Sequence, residues 1–212
     1  MYDVRYHFLN LNGGFTMETN RTFKLTVTAL FIALVLLFGL TPVGLIPLGF
    51  VNVTILCVPV IVGTLLLGLR TGLILGACFG TVSALSAFGI WGTPSTLAAT
   101  LVAANPFLAL VLCFLPRLLI PTVAFFTYRL AAKDNGQSIK AIPCAAVCGS
   151  LTNTIMYLGL MLLFYVMLGI DSANVLKLIT STGLIAGSLE AITAALLSTP
   201  ILSALWKISE RK

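Results

Sequence analysis

The chain has 212 residues, of which 59% are hydrophobic and 8% charged, and it carries a formal net charge of +6. A soluble domain interrupts its apolar runs with charged faces, whereas here apolar runs of about 20 residues recur, the length that crosses a bilayer. This predicts an all-α polytopic membrane protein and excludes a nucleic-acid partner, because single cations scattered between apolar spans form no groove for phosphates.

Residues 1–20 read as an N-terminal tail, and the start-like METNRTFK at Met17 marks residues 1–16 as an upstream extension. The tail lacks the basic end, apolar stretch and cleavage site of a signal peptide, so the span that follows is expected to remain as a helix. His7, the only histidine, lies in this tail, which leaves the spans without an imidazole for Ser/His hydrolysis or histidine-ligated metal catalysis. Residues 21–212 are expected to form one integral membrane domain of six helices.

The first predicted span is Phe23–Leu40, with Ala29 and Ala33 four apart, a spacing that lets another helix approach closely. Thr41–Asn52 holds two prolines and two glycines and reads as an apolar lid or re-entrant loop. Val53–Leu67 is a short second span, and Gly68-Leu69-Arg70-Thr71 turns into a third that runs to about Phe88. Gly68, Gly72, Gly76 and Gly80, continued by Ala84, make a helix-packing groove, and no GxxxxGK[ST] motif occurs. Gly89–Ala104 opens with turn chemistry, and its Trp91 has two readings, interfacial anchor or pocket wall.

Asn105–Leu130 is the fourth span, with Arg117 near its middle and prolines at 106, 116 and 121. Arg117 lies roughly 18 Å in from the Asn105 end, inside the hydrocarbon zone, where a permanently charged guanidinium requires a wet cavity, a protein acceptor or an anionic ligand. Each proline removes a backbone donor and leaves a carbonyl open one turn back. A ligand-binding Arg117 and a structural one paired to carbonyls or a carboxylate are both compatible with this pattern. Asn105 and Trp91 join it as candidate ligand contacts.

Ala132–Lys140 is the clearest loop. The fifth span, Ala141–Leu168, brings Ser150, Thr152, Asn153, Thr154 and Tyr157 into the membrane, with Asn153 and Tyr157 on one face. After a short loop at Gly169–Asn174, the sixth span, Val175 to about Leu205, carries Gly183, Gly187, Ala191 and Ala195 on one ridge. Glu190, the one acid within the spans, is placed to neutralise Arg117, bond a ligand hydroxyl or carry a proton. The five cysteines, Cys57, Cys78, Cys113, Cys144 and Cys148, lie in apolar spans and are odd in number, so no disulfide framework is expected. Cys144 and Cys148 share a face but lack a neighbouring ligand to complete a metal site, and no cofactor is expected.

With six spans, all the flanking cations but Lys177 fall on one side, which predicts cytoplasmic termini and a site that loads from outside. The Ala-x-x-x-Ala first helix, Pro/Gly-rich first loop, Pro116-Arg117, the LTNT run ending at Thr154 and the intramembrane Glu190, in this order, resemble the substrate-binding S components of energy-coupling factor (ECF) vitamin transporters. The resemblance runs from about residue 20 through nearly all of the chain, most closely to the pantothenate-specific group. It implies a six-helix bundle in the cell membrane that captures a vitamin from outside and docks on a transmembrane coupling subunit joined to two ATPase subunits. It further implies that Arg117 and Asn153 bind substrate, that Ala29 and Ala33 contact the coupling subunit and that the first loop gates the site. Tyr157 and Glu190 complete the expected substrate wall. Residues alone leave open a proton-coupled carrier of a small organic acid relaying through Glu190, an intramembrane enzyme, and S components for folate or riboflavin.

Overall fold

In the computed structural model, the described residues are 21–41, 45–47, 52–91, 95–132, 138–170, 176–177 and 183–210. The tail before residue 21, including Met17 and His7, and much of the loops at 41–52, 132–140 and 169–182 therefore lie outside the described residues. Helix α1 spans Arg21–Leu40, and strands β1 (Leu45–Pro47) and β2 (Asn52–Thr54) pair antiparallel with Ile46 opposite Val53. Helices α2 (Cys57–Leu67), α3 (Leu69–Ala87), α4 (Thr96–Ala104), α5 (Pro106–Ala132), α6 (Ala141–Met167) and α7 (Leu184–Glu210) follow.

The sixth span, expected from Val175 to about Leu205, is described as a helix over Leu184–Glu210, and two boundaries in the first half of the chain change as well. Val53 does not open the second helix, because Asn52–Thr54 pairs with β1 and the helix begins at Cys57. β-Branched Val53 and Thr54 suit an extended strand, and Pro59 falls in the first turn of the helix, where its missing N–H has no partner to lose. The second change is a separate helix, α4, within the stretch read only as a turn and a run of small residues. Ser95 caps it by accepting from the Ala98 amide at 3.3 Å, and it ends at Asn105, held extended (φ −155°) before Pro106.

Among the described residues, four helices, α3, α5, α6 and α7, are long and apolar enough to cross a membrane. The apolar part of α1, Lys24–Leu40, is shorter, and α2 has 11 residues, about 16 Å, roughly half the hydrocarbon thickness. All 11 residues of α2 are buried, so its lack of a polar face reflects enclosure by protein. Gly68, with φ +95°, makes the abrupt turn from α2 into α3, a conformation that a side chain disfavours.

The glycine ridge of α3 packs on α5 as the spacing predicts. A Cβ on Gly76 would meet the Arg117 carbonyl oxygen at 2.7 Å, one on Gly80 would meet the Phe114 ring at 2.7 Å, and one on Gly72 would strike Thr64 and Pro121. Small residues thus bring two backbones into contact, which is how helices gain van der Waals packing where apolar burial supplies little drive. On the other side of the bundle, Gly183 faces Leu158 and Gly187 faces Thr154, which sets α7 antiparallel to α6. These pairings gather Arg70, Arg129, Lys140 and Lys207, all exposed, at one end of the bundle. Near that end, the Tyr128 and Trp206 rings meet tilted at 57°, their centroids 6.3 Å apart, over a continuous apolar core.

Candidate binding site

Toward the opposite end the bundle opens into a cavity of about 80 Å³ between α3, α4, α5, α6 and α7. A single water needs about 10–15 Å³ on this scale, so the space holds several waters or part of an elongated ligand. Arg117, Asn153, Tyr157 and Glu190 all line it, although they come from three helices.

Arg117 is 7% exposed. Its Nη1 donates to the Leu112 carbonyl at 3.1 Å, the oxygen left open because Pro116, four residues on, has no N–H to offer. Its guanidinium carbon lies 4.6 Å from the centre of the Tyr157 ring and 5.3 Å from that of Phe79, within cation–π range. Nε, although buried, has no hydrogen-bond partner among the described residues. The cation is thus anchored on one nitrogen and flanked by two aromatic faces, with donor capacity left for an acidic ligand in the cavity.

Asn153 and Glu190 are 6% and 8% exposed, and they meet: Asn153 Nδ2 donates to Glu190 Oε1 at 3.4 Å. The same carboxylate oxygen accepts from the Cys57 thiol at 2.7 Å, while Asn153 Nδ2 lies 4.0 Å from that sulfur. Asn153 Oδ1 is buried without a hydrogen-bond partner. One turn further along α6, Tyr157 reaches the Arg117 end of the same cavity. The two side chains on one face of α6 therefore address different groups, Asn153 the Glu190 carboxyl and Tyr157 the Arg117 guanidinium.

The other polar residues of α6 divide. Thr154 lines the cavity, Thr152 donates back to the Cys148 carbonyl at 2.7 Å, and Ser150 is buried away from it. Trp91 and Asn105 do not line the cavity. Trp91 is 56% exposed, and its Nε1 donates to the Leu40 carbonyl at 2.8 Å, tying the end of α3 to the end of α1. Asn105 caps α5, its Oδ1 accepting from the amides of Phe107 (3.1 Å) and Leu108 (3.3 Å). Ala29 and Ala33 are exposed on α1, away from the cavity wall.

Four contributors went unread in the sequence. Phe79, Ser83 and Ser86 stand at i, i+4 and i+7 of α3 and all line the cavity, a helical spacing that was open to reading. Cys57, taken for a small apolar side chain, contacts the one acid of the cavity across 133 positions of sequence. None of the described cysteines forms a disulfide, and no cluster of possible metal ligands occurs among the described residues.

The chain is 29% identical to the pantothenic acid transporter PanT of Lactococcus lactis subsp. cremoris over 206 residues, covering 90% of this chain and 97% of that protein. It is 28% identical over 207 residues to the pantothenate transporter PanT of Leuconostoc mesenteroides subsp. mesenteroides, covering 92% and 98%. The family model for the substrate-specific component of ECF transporters matches residues 23–202. An apolar helical bundle whose cavity holds a few buried polar side chains, and a match over most of its length, place this integral membrane protein in the family of ECF transporter substrate-specific components.

Proposed function

We propose that the chain captures pantothenate from outside the cell and delivers it through a transmembrane coupling subunit driven by two ATPase subunits. Pantothenate carries a carboxylate at one end, an amide in the middle and hydroxyls at the other. The carboxylate meets Arg117, whose guanidinium Tyr157 and Phe79 hold from either side, and the polar remainder reaches Asn153 and Glu190. The observation that carries this reading is that Arg117 and Asn153 line one cavity, each with a buried polar atom, Nε and Oδ1, that has no hydrogen-bond partner among the described residues. The names of the two relatives supply the particular vitamin.

In this reading the chain crosses the cell membrane six times, with α1 and α2 completing the set and both termini in the cytoplasm. The basic end formed by Arg70, Arg129, Lys140 and Lys207 then faces the cytoplasm and the cavity faces outward, consistent with the positive-inside rule. Ala29 and Ala33 form the docking strip for the coupling subunit, where close packing requires small residues. The test is a titration of the purified chain with pantothenate, folate and riboflavin, followed by uptake in vesicles. Pantothenate alone should bind, and uptake should require the coupling and ATPase subunits. Preferential binding of folate or riboflavin would reassign the substrate, and uptake by the lone chain under a pH gradient would favour a proton-coupled carrier.

A further inference from the structure

The cavity contains an amide whose orientation is set by another residue of the cavity wall. An asparagine amide can turn half a circle and exchange its oxygen and nitrogen with little change of shape, so neighbours must decide which atom faces a ligand. Asn153 has such a neighbour in Glu190 Oε1, an oxygen that accepts from the Cys57 thiol as well and so meets the amide as an acceptor. The thiol reaches it from α2, and Cys57 itself does not line the cavity. Turning the amide over would bring Oδ1 against a carboxylate oxygen, two acceptors with no proton between them. Asn153 Nδ2 therefore points to Glu190, and Oδ1 is the atom left buried without a partner.

We propose that Glu190 is a positioning residue for specificity: by holding the Asn153 amide with Oδ1 available, it makes the cavity select acids that also carry a hydroxyl or amide N–H donor. This rests on the ligand reading above and deepens it. A buried acceptor left without a donor is costly, so a ligand that supplies one is favoured over a ligand of the same shape that does not. Arg117 recognises the acid, and the Asn153–Glu190 pair reads the second group. Glu190 need not touch the ligand for this, because it acts through the amide.

The test uses the purified full chain and three compounds: pantothenate, its di-O-methyl ether and its N-methyl amide. The wild type should bind at least one methylated compound ten or more times more weakly than pantothenate. In Glu190→Gln the side-chain amide at 190 both donates and accepts, so Asn153 is satisfied either way round, and the discrimination should fall to within about threefold. Glu190→Asp keeps an acceptor-only carboxylate and should restore it. A merely structural Glu190 would lower all three affinities together and leave the ratio intact, which would overturn the proposal. So would a wild type that binds the three compounds alike. If the wild type binds none of them, the pantothenate reading fails, and the orientation is judged by the side-chain ¹⁵N–H₂ resonances of Asn153, identified by their loss in Asn153→Leu. Those resonances should move in Glu190→Gln, and unchanged resonances would overturn the proposal independently of the vitamin.

Discussion

Arg117 stands between two unlike regions of the bundle. On the α3 side, Gly72, Gly76 and Gly80 bring backbone against backbone, and the Arg117 carbonyl lies where any side chain on Gly76 would be. On the α6 and α7 side the packing opens, and polar atoms of Asn153, Glu190 and Arg117 surround free space. One residue thus presents its main chain to a closed seam and its side chain to a cavity. The comparison teaches that an intramembrane charge is held in place by what surrounds its backbone, whereas its chemistry is decided by the groups opposite its side chain.

The largest expected effect comes from emptying the cavity side. Arg117→Ala should cost about 2–5 kcal/mol of pantothenate binding, the scale for removing one partner of a desolvated charge pair, with the fold retained. Lysine should rescue poorly, because a point charge lacks the planar fork and the ring contacts. Calorimetric titration of folded protein checks both, and unchanged affinity in Arg117→Ala would make the residue structural only.

Filling the seam should act the other way, on stability first. Gly76→Ala places a methyl against the rigid backbone of Arg117, and overpacking of this kind costs about 1–3 kcal/mol. Thermal unfolding should report a lower midpoint. A midpoint equal to the wild type would mean that the seam yields and is not a fixed support.

Asn153→Leu should reduce ligand affinity by about 1–3 kcal/mol, the scale for an unmade buried hydrogen bond, while the protein still folds. Collapse of thermal stability with normal affinity in the surviving fraction would instead make Asn153 a tie between helices. The smallest effect on binding belongs to a place outside both regions. Ala29→Trp or Ala33→Trp alters an exposed strip of α1 and should leave affinity within about twofold, well under the 1.4 kcal/mol of a tenfold change, while abolishing uptake by the assembled transporter. Full uptake in either variant would remove the strip as the docking surface.

What could be read in advance follows the range of the interactions. The span around Arg117 and its proline-opened carbonyl were legible because both partners lie within five residues on one helix. The glycine groove of α3 was legible for the same reason, since a spacing of four is a local property. The Cys57–Glu190–Asn153 cluster was not, because it joins α2, α7 and α6, and nothing in the sequence pairs residues so far apart. Trp91, read as an interfacial anchor or pocket wall, and Asn105, read as a ligand contact, spend their polar atoms on Leu40 and the first turn of α5. Helix α4 went unread although Ser95 is a favoured cap, since a run of small residues carries little periodicity to mark it.

The prolines of α5 also set two requirements of the protein against each other. Pro116 opens the Leu112 carbonyl, and Arg117 fills that gap with its guanidinium, so a missing rung of the helix ladder doubles as the tether of the cation. Replacing Pro116 by alanine would offer Leu112 a backbone N–H again. The helix would become more regular, and the arginine would lose its competitor-free acceptor and gain freedom to swing. A variant that resists heat better while holding its ligand less firmly is the expected result, so selection for robustness alone would tend to erase the feature that aims the charge.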